Sequence, residues 1–316
     1  MKRKITSLLS VMAACGLLIL ACTKADINFN ADSVANLQVQ SDDQSRFSAE
    51  SDAVSDDANL LLNDPSFNSG FNASETQASS LNNIICDATV AVDTMSNPRT
   101  VTITYNGTNC GGNRTRKGQV ILSMPAGMHW GDVNAVLTVN IKNLAIKRLS
   151  DNKSITLNGI HTITNVTGGR LINLPNLSSI VHRVSSSNMS VTFDDGSQRT
   201  WQVAKQRTFT YNNGVVITIT GLHSDGSHEG IAEWGLNRFG KAFSSAITQA
   251  IVLRQDCSFR IVSGAIQHIR ADITTSATFG LDISGNSTTC PGTGNYFLQL
   301  IWTDKTGKEY KFILPY

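Results

Sequence analysis

The chain has 316 residues, of which 41% are hydrophobic, 7% aromatic and 16% charged, and its formal net charge is +2. This length can hold one large domain or two small ones, and the apolar content is enough for a sizeable core. The many Thr, Ser, Asn and Gly residues favour strands and turns over helices. The cations form one dense run, at residues 114–117, so a nucleic-acid partner is not expected.

The N-terminus has the pattern of an export signal. Lys2, Arg3 and Lys4 precede an apolar run at residues 8–21, which predicts a signal peptide over residues 1–21. The run ends in Ile19-Leu20-Ala21-Cys22, which resembles the lipobox of bacterial lipoproteins and predicts that Cys22 is lipidated. Acyl chains would then be the membrane anchor, because no later segment is long enough to span a bilayer. An ordinary secretory signal with an incidental cysteine is the alternative.

Residues 22–81 differ in composition from the rest of the chain. Between residues 23 and 80 there are ten acidic residues and two cations, and few apolar residues are contiguous. Such a segment buries too little apolar surface to offset its ordering entropy, so we expect an acidic, disordered linker. Within it, residues 48–63 can form a short helix, with Ser48 or Ser51 as its cap and three leucines near its end.

The remaining residues, 81–316, carry 21 cations and 14 acidic residues. This excess could attract an anionic glycan or lipopolysaccharide. The favoured interpretation is that the cations are scattered over strand faces and partly neutralised by the acidic linker.

Residues 82–316 show apolar and polar residues in alternation, separated by short turn sequences, which predicts an antiparallel all-β fold. A β-sandwich is the default architecture and an elongated sheet is the alternative. Asn213-Gly214, between two alternating runs, is the strongest hairpin signal. One β-domain, or two sub-units at residues 82–200 and 201–316, would fit this pattern.

Cysteine spacing supports an internal repeat. Cys86 and Cys110 flank one strand-and-turn unit, and Cys257 and Cys290 flank a similar one. Four cysteines in an exported chain allow three disulfide connectivities, and the repeat favours one bridge within each unit. None of the spacings is the C-x-x-C of a zinc site, so neither a metal nor another cofactor is expected.

Three segments carry a resemblance to a known group. Residues 97–118, the Arg199-Thr200-Trp201 strand and the Cys257 unit together resemble uncharacterised secreted lipoproteins of the Bacteroidetes. The resemblance implies lipidation and a location in the cell envelope, as an outer-membrane lipoprotein that faces the periplasm or the outside. It implies no activity and no catalytic residues.

One loop gathers the most reactive side chains of the chain, which are His223, Asp225, His228, Glu229, Glu233 and Trp234. These residues could hold a ligand, and Glu229 with Glu233 could serve as an acid–base pair. The second histidine of a zinc-protease helix motif is missing. Asp225-Gly226 between serines is also typical of a hairpin tip, which is the favoured interpretation.

Two functional hypotheses follow. The first is a non-enzymatic, lipid-anchored envelope module that binds a glycan or an envelope protein. The alternative is a secreted hydrolase that acts from the loop at residues 223–234. The two differ in one geometric requirement, because the hydrolase needs the acidic residues and His228 to converge in one concave site.

Overall fold

A computed structural model of the chain describes residues 31–63, 85–271, 273–288, 290, 295–303 and 307–316. The predicted signal peptide, Cys22 and the linker residues 23–30 and 64–81 lie outside the described residues. Within the described helix, side chains are defined for residues 39–62. In this part of the chain, no helix combines the length and the apolar character that a bilayer crossing requires.

The described elements form one helix and a single antiparallel sheet of fourteen strands. In chain order they are α1 (Ala31–Asn63), β1 (Ala88–Asp93), β2 (Arg99–Thr108), β3 (Arg114–Met124), β4 (Ala135–Arg148), β5 (Ser154–Asn165), β6 (Ile180–Phe193), β7 (Gln198–Tyr211), β8 (Val215–Gly221), β9 (Ile231–Leu236), β10 (Ala242–Arg254), β11 (Arg260–Arg270), β12 (Ile273–Leu281), β13 (Phe297–Thr303) and β14 (Glu309–Pro315). Strands consecutive in the chain are neighbours in the sheet, except that β8 pairs with β10 while β9 pairs with β7 and β10. The all-β prediction is confirmed, and the elongated sheet is the architecture formed.

The hairpin predicted at Asn213-Gly214 is confirmed and connects β7 to β8. Asn213 has φ 54° and Gly214 has φ 137°, and the Asn212 amide donates to the Gly214 carbonyl at 2.9 Å. Two consecutive residues with positive φ favour asparagine and glycine, which is why the dipeptide is informative.

The division into sub-units 82–200 and 201–316 is wrong for this structure. Its boundary falls inside β7, and β7 is hydrogen-bonded to β6 on one side and to β8 and β9 on the other. A sheet whose strands pair without interruption cannot be divided at that point. The larger apolar cluster lies between α1 and the sheet, and a second cluster forms around Phe209, Ile219 and Phe279.

The prediction of a disordered linker is wrong for residues 31–63. These residues form a 33-residue helix, about twice the length of the helix predicted at 48–63. Among its residues 39–62 only Ser41 is exposed. One narrow apolar stripe, which includes Phe47, Val54 and Leu61, packs into the larger apolar cluster. The compositional argument failed because it counted apolar surface alone, whereas this helix also buries charged residues that pair with cations of the sheet.

Cations on the inner face of the sheet meet the carboxylates of α1. The N–O distances are 2.6 to 3.5 Å for Arg114 with Glu50, Arg116 with Asp57, Arg148 with Asp42, Lys205 with Asp52, Arg207 with Asp56, and Arg238 with Asp43. The partners come from strands β3, β4 and β7 and from the turn after β9, so the sheet curves around the helix. The acidic segment therefore neutralises part of the cationic domain, and it does so inside the fold.

Arg116 forms the most deeply buried of these contacts. Its guanidinium lies 2.7 Å from Asp57 and 2.6 Å from Asp87, with about 2% of the side chain exposed. Burial raises the pKa of Asp57, while Arg116 and the Tyr105 hydroxyl, which donates to Asp57 at 2.8 Å, oppose that rise. For Arg116, burial favours a lower pKa, but the bonds to Asp87 and Asp57 raise it above the ordinary value. The charge of Arg116 thus stabilises the ionised forms of Asp57 and Asp87, and their charges stabilise the ionised form of Arg116.

Bulges give the sheet its curvature. The register shifts by one residue where Gly118 of β3 meets Asn143 of β4, and again where Gly159 of β5 meets Asn188 of β6. Gly159 has φ +127°, and a Cβ there would lie 2.6 Å from the Asn188 carbonyl oxygen, so only glycine fits. Such bulges bend strands and increase their twist, which lets the sheet enclose α1.

Each of the two disulfides lies within one repeat unit, as the internal repeat predicts. Cys86 is joined to Cys110 with a Cα–Cα distance of 5.3 Å, and Cys257 is joined to Cys290 with a Cα–Cα distance of 6.0 Å. The first bridge holds the residues before β1 to the turn between β2 and β3. The second holds the turn after β10 to the segment between β12 and β13.

We expect Arg116→Leu to lower the free energy of unfolding by about 3–5 kcal/mol, because it leaves the buried carboxylates of Asp57 and Asp87 without their cation. Urea denaturation measures this change. Arg183→Leu is the matched control, since Arg183 is exposed on β6, and it should change stability by less than about 0.5 kcal/mol. Equal effects of the two substitutions would contradict a dominant role for the buried pairs.

Replacing Cys86 and Cys110 together by serine should lower the free energy of unfolding by about 3 kcal/mol, because the bridge closes a loop of 24 residues. The Cys257 and Cys290 pair, 33 residues apart, should give a similar loss when it is replaced separately. Non-reducing peptide mapping identifies the partners directly. A peptide that joins Cys86 to Cys257 would contradict the connectivity.

Candidate functional site

The loop between β8 and β9 contains most of the predicted ligand residues and is an exposed turn. Asp225 accepts hydrogen bonds from the backbone amides of Ser227 at 2.8 Å and His228 at 2.7 Å, and these bonds lower its pKa. The His228 ring lies 3.3 Å from the same carboxylate. Ser224 donates to Glu229 at 2.8 Å. The polar groups of this loop thus bind one another, as expected of a hairpin tip.

Glu233 is separated from this loop. It lies on β9, is 2% exposed and points to the inner face, where Lys205 is 2.7 Å away. The Trp201 indole donates to it at 3.3 Å, and Ser48 of α1 donates to it as well. The predicted set of six ligand residues does not converge, and Glu229 and Glu233 do not form an acid–base pair. Alternation along β9 explains this, because Glu233 and Trp234 must face opposite sides of the sheet.

His223 and Trp234 are the two predicted residues that the structure brings together on the outer face. Their rings stack with centroids 3.9 Å apart and an interplanar angle of 15°. His223 is held by two backbone hydrogen bonds to Ile231, at 3.0 and 2.9 Å, which fix the strand extension that carries it. The stack is therefore an ordered aromatic feature at the base of the loop.

A shallow cleft of about 420 Å³ lies on the outer face near this stack. We call it the outer cleft. The residues that line it are Ser190, Gln198, Arg199, Thr200, Leu236 and Gly240. Leu236 is two residues beyond Trp234 on β9, so both side chains project from the same face. Sequence reasoning missed this cleft because its residues come from β6, β7, β9 and the turn after β9. The sequence pattern that could have indicated the cleft is the alternation of the polar residues Gln198, Thr200 and Gln202 along β7.

A second set of polar groups lies inside the fold. His182 of β6 pairs in register with Asn165 of β5 and Arg207 of β7, and its ring lies 5.0 Å from the rings of Trp130 and Phe209. Within the described residues, both His182 nitrogens, Asn165 Oδ1, Trp130 Nε1 and Arg207 Nε lack a hydrogen-bond partner. Buried groups of this kind are rarely left unpaired, so we expect ordered water between them.

Burial, reinforced by the charge of Arg207, lowers the pKa of His182 to about 3. His161 is also buried and His268 is half-buried, and burial lowers the pKa of each to about 4. The interior thus contains three imidazoles that are neutral near neutral pH. The charge of Arg207 is balanced by Asp56, whose carboxylate oxygen lies 2.8 Å from the Arg207 guanidinium.

Among the described residues, Asp256 with Cys257 and Cys290 is the one group whose ligand atoms lie close enough to hold a metal ion. Both sulfurs belong to a disulfide, which does not provide thiolate ligands. The group is therefore a structural bridge beside an acidic residue that already pairs with Arg254 at 2.6 Å.

No protein-family model, no curated protein and no solved structure was found to match this chain.

We expect His182→Phe to make the protein less sensitive to acid. An imidazole whose pKa is lowered in the folded state stabilises the fold above the unfolded pKa of 6.5, and this contribution is lost as the pH falls towards 3. Between pH 6.5 and 4.5 one such residue should account for about 2–3 kcal/mol of lost stability. Phenylalanine retains the ring packing and cannot be protonated, so this loss of stability at low pH should not occur.

The measurement is the free energy of unfolding of both proteins at pH 7 and pH 4.5. The buried acids of α1 titrate in both, so their contribution cancels in the comparison. His129→Phe is the matched control, because His129 lies outside the core and carries the same substitution. An identical acid response of the wild type and His182→Phe would contradict the prediction.

Proposed function

We propose that this protein is a lipid-anchored lipoprotein of the outer membrane, and that its β-sheet is a binding module that catalyses no reaction. The anchor is Cys22, and the partner is a glycan or a protein of the cell envelope. The observation that carries the proposal is the position of α1. The helix that follows the lipobox is a buried part of the fold and not a separate linker.

The short distance between Cys22 and α1 supports this interpretation. Eight residues, 23–30, separate the cysteine from Ala31. At roughly 3.5 Å per residue they can span at most about 30 Å. A lipid on Cys22 would therefore hold α1, and with it the enclosing sheet, close to the membrane. A module held in this way is suited to binding a component of the same envelope.

The geometry of the loop at residues 223–234 disfavours the hydrolase alternative. That alternative requires two carboxyl groups in one site, whereas Glu233 is buried against Lys205 and Glu229 accepts a bond from Ser224 in an exposed turn. The groups at the outer cleft and beside it are instead hydroxyl and amide side chains, Leu236, Arg199 and an aromatic stack. These features suit reversible binding.

We expect Cys22→Ala to move the protein from the membrane fraction to the soluble fraction and to abolish labelling by an alkyne fatty acid. Cys15→Ala is the matched control, because Cys15 also follows two small residues, in Met12-Ala13-Ala14-Cys15, and lies within the predicted signal peptide. That variant should remain in the membrane fraction. If the Cys22 variant still partitions into detergent, the proposed anchor is wrong.

A further inference from the structure

The outer cleft lies where three strands present hydroxyl, amide, aliphatic and guanidinium side chains next to an aromatic stack. Ser190 of β6 is opposite Thr200 of β7, and Gln202 of β7 is opposite Trp234 of β9. These side chains share the outer face, because the alternate residues of β7, Trp201 and Val203, are buried on the inner face. Trp234 and its stack with His223 therefore lie beside the cleft, whose own lining does not include them.

The polar groups of this surface are oriented by one another. Gln198 donates to Ser190 at 3.2 Å, and Ser186 donates to Gln202 at 3.0 Å. These bonds leave the Gln198 side-chain oxygen as an acceptor and the Gln202 amide nitrogen as a donor, neither with another partner among the described residues. The Thr200 hydroxyl can donate and accept. A ligand made of hydroxyl groups requires this mixture of donors and acceptors.

Arg199 is the one charged side chain in the lining, and most of its donors are used within the protein. It donates to the backbone carbonyls of Gln198 at 2.8 Å, Asn237 at 3.2 Å and Arg238 at 2.8 Å. Three of its five N–H groups are therefore engaged, and two remain for a ligand. The other polar side chains of the lining are neutral hydroxyl and amide groups, which suit a neutral ligand.

We propose that the outer cleft binds a neutral oligosaccharide. Trp234, held in place by its stack with His223, packs against the apolar face of a sugar ring, and Leu236 extends that contact. Thr200, Gln198 and Gln202 form hydrogen bonds with the sugar hydroxyl groups. This inference rests on the proposed function and names its ligand class and its site. A volume of about 420 Å³ in an open cleft suits a few sugar units of a longer chain.

The test uses the full chain carrying Cys22→Ala, with binding measured by calorimetry. The probes are the hexasaccharides of β-1,4-glucan, β-1,3-glucan, xylan, mannan and chitin, with heparin and alginate as anionic comparisons. We expect binding to at least one neutral probe and weaker binding to both anionic ones. Trp234→Ala should weaken binding by at least about tenfold, in line with the loss of a central aromatic contact. Thr200→Val, which keeps the shape and removes the hydroxyl, should weaken it by roughly three- to tenfold.

Tyr211→Ala is the matched control, because Tyr211 is an exposed aromatic residue at the far end of β7. It should leave affinity unchanged. Thermal melting of each variant verifies folding, and Thr200→Val keeps the test decisive if Trp234→Ala unfolds. The inference is overturned if no neutral probe binds, if the anionic probes bind more tightly, or if Thr200→Val binds as the parent does. None of these outcomes depends on the lipid, so failure of the Cys22 anchor would appear separately in the fractionation experiment.

Discussion

The carboxylates of α1 lie inside the curve of the sheet, where strands β3, β4 and β7 and the turn after β9 supply their cations. Removing these charges from water is costly, and a buried ion pair contributes stability only when its geometry satisfies both partners. The pairs are close in this fold, and Tyr105, Asp87 and Glu233 add further hydrogen bonds. They also favour one position of the helix. A helix that shifted or rotated within the sheet would leave charges buried without partners, so the pairs fix its position.

This arrangement makes the N-terminal segment part of the fold. Phe47 stacks on Trp201 with centroids 4.4 Å apart, and Leu61 and Leu62 are fully buried. The sheet therefore depends on α1 for much of its apolar core as well as for its charge balance. If Cys22 is lipidated, the chain from the membrane enters the fold directly. The buried imidazoles add sensitivity to acid, because they must remain neutral while the helix is enclosed.

The two faces of the sheet have different chemistry, and β7 and β9 show this most clearly. Lys205 and Arg207 of β7 face inwards to the acids of α1, while Gln198, Thr200 and Gln202 face outwards. Glu233 of β9 bonds to Lys205 inside, and its neighbour Trp234 stacks on His223 outside. Stability is thus provided by the inner residues and the proposed binding by the outer ones. Substitutions on the outer face can alter recognition with little effect on the enclosed helix.

The sequence by itself indicated the all-β class, most of the strands, the Asn213-Gly214 hairpin and the favoured cysteine pairs, because alternation, turn chemistry and spacing are local properties of the chain. It also separated an acidic segment from a basic one. It could not show that α1 is an ordered, buried helix, because the partners of Asp42, Asp57 and their neighbours are tens to nearly two hundred residues away. The same limit applied to the loop at residues 223–234, where Glu233 and Trp234 are adjacent in the chain yet lie on opposite faces. Only the tertiary structure, by curving the sheet around α1, decided which charges are paired inside and which side chains remain available outside.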